Sequence, residues 1–181
     1  LAASIIGRSI EGRNEIIVPS LTYRRLDDLI YWTKHVPVFV DIETNNLAIS
    51  PNSVREAINK NTALILAVHP IINCCKVKEL IDVSKEYNIP IIFDAVESVH
   101  ETYYGKRIGS FDSEEVFSLH ASKLLNGAEG GYICTNDDEF YKKMIKLRSN
   151  LVSTDSLDCS IDSRPNDIHA IFSLASLKEI N

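Results

Sequence analysis

Three stretches of this chain are apolar at consecutive positions: EIIVPS (15–20), ALILAVHP (63–70) and IPIIFDAVES (89–98). A strand with one wet face alternates apolar and polar residues; a strand covered on both faces does not. These runs therefore need layers above and below them. The segments between supply such layers. TYRRLDDLIYWTKH (22–35) and KVKELIDVSKEYN (76–88) carry apolar residues at helical spacing, and Asn88 ends the second. SPNSVREAINKN (50–61) starts with the helix signals Ser50, Pro51 and Ser53 and reads as a polar helix to Lys60. The expected fold class is α/β, a mostly parallel sheet flanked by helices on both faces.

The same pattern continues to the end. VPVFVDI (36–42) reads as a further buried strand, and EEVFSLH (114–120) and GGYICTND (130–137) as two more. TYYGKRIGSF (102–111) reads as a small hairpin around Gly105. DDEFYKKMIKLRSN (137–150) is a helix capped by Asn136 or Asp137. RPNDIHAIFSLASLKEIN (164–181) has the spacing of a long helix with Pro165 in its first turn. The polar stretch 151–163 between them is a loop.

Length and charge bound the function. A chain of 181 residues with 45% hydrophobic and 24% charged content fits most of one globular domain. Its net charge of −6 lacks the basic excess of a nucleic-acid-binding domain, so no nucleic-acid partner is expected. No run approaches the ~18 apolar residues of a membrane span, so no membrane partner is expected. The opening LAASIIGRSIEGRNE lacks a basic leader and begins without methionine, like the end of a helix; residues upstream are expected. Cys74, Cys75, Cys134 and Cys159 form no CxxC pair. They read as reduced thiols of a cytoplasmic protein, and no metal site is expected.

In parallel α/β sheets ligands gather at the carboxyl ends of the strands. Asp94 follows the apolar run Ile91-Ile92-Phe93. A carboxylate there is costly without a partner, so it is either a turn cap or the holder of a cation. Lys123 lies in FSLHASKLLNGAEGG (117–131), among Ser118, His120 and Ser122 and ahead of Gly127, Gly130 and Gly131. It is either a solvated charge or a lysine set up as nucleophile and base. A lysine plus a carboxylate for a ring nitrogen is the combination that pyridoxal 5'-phosphate (PLP) chemistry needs.

FDAVESVHETYYGKRIGSF followed by VFSLHASKLLNGAEGGYICTND resembles the core of the DegT/StrS sugar aminotransferases, which are fold-type I PLP enzymes. EIIVPSLTY, PVFVDIETNNLAISPNSVREAINKNTALILAVHP and RPNDIHAIFSLASLKEI fit the same family in the same order, so the resemblance spans nearly the whole chain. It implies that Lys123 forms the Schiff base with PLP and later shuttles a proton. Asp94 would hold the pyridine nitrogen, Ser118 would lie near the cofactor phosphate, and Tyr23 would stack on the ring. His120 falls where a histidine faces the active site. The resemblance also implies a homodimer, a nucleotide-linked keto-sugar substrate and an amino-acid donor, with glutamate expected.

Three positions depart from the family pattern. Glu97 stands where glutamine is usual near the cofactor's phenolic oxygen; an ionised glutamate cannot donate there. Ile72 replaces a glycine in HPIIN (69–73). Asp162 replaces an asparagine two residues before Arg164, on a loop that reaches the partner subunit's cofactor phosphate in relatives. These motivate a second reading, a catalytically silent binding or regulatory relative. A PLP-dependent sugar dehydratase is a third, although such relatives replace the lysine that Lys123 retains. The resemblance further implies that the phosphate-cradling turn upstream and the small C-terminal domain are missing, so that 1–181 is most of a PLP-binding large domain.

Overall fold

The computed structural model describes residues 1–71, 73–148 and 163–180. The chain begins with helix α1 (Ala2–Arg8), then strand β1 (Glu15–Pro19), α2 (Leu26–Trp32), β2 (Val36–Val40), α3 (Pro51–Ala57), β3 (Thr62–Val68), α4 (Val77–Tyr87) and β4 (Ile91–Asp94). A hairpin, β5 (Thr102–Tyr103) and β6 (Lys106–Arg107), precedes β7 (Glu114–Ser118) and β8 (Gly131–Cys134). Helices α5 (Asp138–Arg148) and α6 (Asp167–Ile180) complete the described chain.

Six strands form one sheet in the order β2-β1-β3-β4-β7-β8. All neighbours pair in parallel except β7 and β8, which are antiparallel. The consecutive apolar runs are explained by the two cores. Ile17, Ile65, Ala67, Phe93 and Phe117 face one side with Val54 of α3 and Val77, Leu80 and Val83 of α4. Ile16, Val18, Leu64, Leu66, Ile92 and Val116 face the other with Ile5 of α1 and Leu26 and Ile30 of α2. Neighbouring residues of one strand thus enter opposite cores. On the second side α5 packs behind α1, where Lys143 donates to the carbonyl of Gly7 at 3.0 Å.

Several expectations need correction. β2 is not buried but forms the sheet's edge, with Phe39 53% exposed. α3 stops at Ala57 instead of Lys60. A local turn wins there: Thr62 Oγ1 accepts from the Asn59 amide at 3.0 Å, and Asn59 Oδ1 from the Asn61 amide at 2.8 Å. Asp137, not Asn136, caps α5, its Oδ1 accepting from the amides of Glu139 and Phe140 at 2.9 and 3.0 Å. Pro165 lies outside α6; Asn166 caps it, accepting from His169 at 3.1 Å. The hairpin turn is Tyr104-Gly105, both at positive φ (49° and 77°), as its tight geometry requires.

No described helix is long and apolar enough to cross a membrane. Among the described residues, no group of three or more His, Cys, Asp and Glu side chains could hold a metal ion. Cys74, Cys75 and Cys134 are free thiols; Cys159 lies outside the described residues.

Candidate active site

The parallel strands β1, β3, β4 and β7 end on one edge, and the chain there carries the candidate chemistry. Asp94, the last residue of β4, is buried, and Val68 of β3 and Val116 of β7 flank it in register. Its Oδ1 accepts from the Val96 amide at 3.2 Å. Burial pushes its carboxyl above the usual value; the Val96 amide and Lys123 oppose this, while Glu97 reinforces it. Among the described residues the carboxylate thus has one backbone donor and no ion pair, an arrangement that favours a cationic ligand.

After Asp94 the chain makes a turn, closed by Ser98 N–H donating to Ala95 C=O at 3.0 Å, from which Glu97 projects. Lys123 comes from the loop between β7 and β8. Leu119 N–H donates to Gly130 C=O at 2.9 Å and Gly127 N–H to Leu119 C=O at 2.8 Å, which close the loop's base. Inside it, Lys123 N–H donates to His120 C=O at 2.9 Å. Helix α6 props the far side, where Ser176 Oγ accepts from the Asn126 amide at 3.0 Å. The lysine ammonium is brought back over the β4 turn and forms an ion pair with the Glu97 carboxylate. Its side chain is only 16% exposed.

Ser118 ends β7, and its Oγ accepts from the His120 amide at 3.1 Å, leaving its hydroxyl proton available to donate. Asp94, Glu97, Ser118 and Lys123 therefore share one edge. Tyr23 lies beyond the end of β1 on the same edge, 71% exposed. His120 is turned into its own loop: Nδ1 lies 2.8 Å from Ser122 Oγ and accepts from the Ser122 amide at 3.2 Å. Arg164 is exposed just ahead of α6. Asp162 and Ile72 lie outside the described residues.

His69 was not among the expected site residues. It follows β3, is buried, and stacks on Phe93 with ring centroids 5.3 Å apart. Burial lowers its pKa to about 4, so the ring is neutral. Nδ1 accepts from the Cys75 amide at 3.1 Å, which leaves the proton on Nε2. The signal was its place, a histidine closing the apolar run ALILAVH.

These residues fit PLP feature by feature. A buried carboxylate without a cation suits a protonated pyridine nitrogen. A sequestered amine suits the aldehyde carbon, and a free hydroxyl donor suits the phosphate. A parallel α/β sheet that gathers this set on its carboxyl edge has the architecture of the PLP-dependent aminotransferase fold.

Residues 1–181 match the model of the DegT/DnrJ/EryC1/StrS aminotransferase family throughout, and the chain belongs to that family. It is 32% identical over 149 residues to the GDP-perosamine synthase of Vibrio cholerae, covering 82% of this chain and 40% of that protein. Among solved structures, Helicobacter pylori PseC, an aminotransferase involved in the biosynthesis of pseudoaminic acid, superposes with a TM-score of 0.88 at 26% identity. That match covers 99% of this chain and 50% of PseC. A GDP-4-keto-6-deoxymannose-3-dehydratase with a trapped PLP-glutamate geminal diamine shares the fold, with a TM-score of 0.85 at 24% identity over 99% of this chain and 53% of that one. The chain spans half or less of the length of the curated relatives it matches.

Proposed function

We propose that this chain carries the cofactor-binding part of a PLP-dependent aminotransferase that moves an amino group from an amino acid, glutamate first, to a nucleotide-linked keto-sugar. The observation that supports it most is the sequestered Lys123 beside the buried, unneutralised Asp94. PLP supplies an electron sink for charge that develops at the substrate carbon. Asp94 keeps the proton on the pyridine nitrogen. Lys123 would hold the aldehyde carbon and would carry a proton to and from the substrate carbon. Ser118 donates to the phosphate, and Tyr23 covers the ring face. Asp162 and Arg164 would serve the neighbouring site of a homodimer. The enzyme would work in the cytoplasm, in amino-sugar and polysaccharide biosynthesis.

The test is direct. The purified protein is mixed with PLP, reduced with borohydride and analysed by mass spectrometry. The reduced cofactor is expected on Lys123, and Lys123→Ala should carry none. A wild-type protein that captures no PLP would sink the reading. Glutamate should then convert bound PLP to its amine form, which a silent binding relative would not do. A keto-sugar product bearing nitrogen separates transamination from dehydration.

A further inference from the structure

Glu97 does not stand idle where the family pattern has glutamine. Its carboxylate is the partner of the Lys123 ammonium. The two residues are 26 apart in sequence and meet because the β4 turn and the β7–β8 loop converge on one edge. Glu97 is one-third exposed and Lys123 less so, hence the pair is shielded on the lysine's side. The charged group that faces it is the Asp94 carboxylate at the end of β4, on which both Lys123 and Glu97 act. On the lysine's own loop, His120 is engaged with Ser122, and its Nε2 lies 3.8 Å from Glu129.

An ammonium is not a nucleophile. To bond to an aldehyde carbon, Lys123 must first release one proton, and the freed lone pair then forms the carbon–nitrogen bond. The two hydrogens left on nitrogen depart with the aldehyde oxygen as water, and no electrons change hands. A carboxylate in contact with the amine opposes the first of these events, because it favours the charged form. A glutamine at the same place would not.

Resting on the PLP reading above, we propose that Glu97 is a resident counter-ion that holds Lys123 as its ammonium until cofactor arrives, so that covalent capture of the aldehyde competes with this ion pair. Glu97 is in this sense a positioning residue for the reactive amine. The pair also provides a resting place for Lys123 whenever the amine donor displaces it.

The experiment compares wild type with Glu97→Gln, an isosteric change at a partly exposed position. Covalent capture of PLP is followed by its absorption band from pH 6 to 10, and in parallel the cofactor-free proteins are labelled with an amine-reactive reagent and Lys123 is quantified by mass spectrometry. The half-maximal pH of capture should fall in the variant, because the contact that favours the charged amine is gone. Labelling of Lys123 at pH 7 should rise about tenfold or more while other lysines are unchanged. A capture profile and labelling equal to wild type, or moved to higher pH, would overturn the proposal. If neither protein captures PLP, the aminotransferase reading falls, while the labelling of Lys123 still decides whether Glu97 restrains its amine.

Discussion

The amide of His69 donates to the carbonyl of Asp94 at 2.9 Å, so the residue after β3 is tied to the last residue of β4. On the other side, the Ala95 amide donates to the Val116 carbonyl of β7 at 2.8 Å. The backbone that carries the buried carboxylate is therefore gripped from both neighbouring strands. The His69 ring is itself held by the Cys75 amide and by Phe93. A carboxylate mounted this rigidly cannot swing to solvent to escape its desolvation, and a ligand cation is what relieves it.

Asp94→Asn should therefore show opposite effects with and without cofactor. Burial raises the Asp94 carboxyl above its ordinary value of 3.8. Below 3.8 folded and unfolded chains both hold the proton. As pH rises the unfolded chain releases it first, so stability falls through the window above 3.8. Asparagine has no charge to desolvate, and the cofactor-free variant should melt higher at pH 7. PLP affinity should fall, because a charged hydrogen bond of about 1.5–3 kcal/mol is lost, roughly 10- to 150-fold. Thermal melting and equilibrium titration with PLP measure the two arms.

Glu115 predicts a second pH effect, away from the candidate site. It is fully buried on β7, and among the described residues neither oxygen has a hydrogen bond of good geometry. Burial pushes its pKa from 4.5 to about 7, against the opposing pull of the Gly109 and Phe111 amides and Lys106. Below 4.5 both states are protonated and nothing is lost. Between 4.5 and 7 the unfolded chain ionises while the folded chain keeps its proton, so stability declines, by at most about 3 kcal/mol. Glu115→Gln should raise the melting temperature by up to about 6–12 °C at pH 8 and scarcely at pH 4. An equal gain at both values would show that ionisation is not the cause.

Much of the fold was legible because uninterrupted apolar runs demand two covering layers, and the chain obeys that demand at β1, β3 and β4. β2 was misread because VPVFV has the same composition as a central strand; its edge position follows from strand order, a property of the whole sheet. Asp94 and Lys123 stood out by their places after apolar strands. The Lys123–Glu97 pair did not, since two loops 26 residues apart decide it. EEVFSLH read as a strand without a role for its acids, yet Glu114 is buried against Arg8, 106 residues upstream. No local pattern announces such a partner. His69 was hidden for a similar reason: its Nδ1 is satisfied by an amide six residues on, in a turn that only folding forms.

Ala128 sits in the Lys123 loop at φ 65°, in the left-handed region where a Cβ costs roughly 1–2 kcal/mol. Its neighbours fix it there, through Ala121 N–H donating to Ala128 C=O at 2.9 Å and Asn126 Oδ1 accepting from the Ala128 amide at 2.7 Å. Glycine would relieve the strain but adds about 0.5–1 kcal/mol of unfolded-state entropy. Ala128→Gly should thus stabilise the protein by about 0.5–1 kcal/mol, read from urea unfolding, without altering PLP capture. Destabilisation would mean that the loop does not hold this conformation in solution.

Gly131 makes the reverse case at the base of the same loop. It pairs with Ser118 across β7 and β8, and a Cβ there would lie 2.5 Å from the carbonyl oxygen of Phe117. That neighbour is β7 backbone, paired to the adjoining strand, and cannot rotate away. Gly131→Ala must therefore push β8 from β7, at a cost typical of overpacking, about 1–3 kcal/mol. Because Gly130 and Gly131 anchor the loop that carries Lys123, the displacement should also reach the lysine. The expected signature is a lower unfolding midpoint in urea together with slower PLP capture in protein that is still folded at low denaturant. A variant with wild-type stability would show that β7 and β8 are not closely paired at this point.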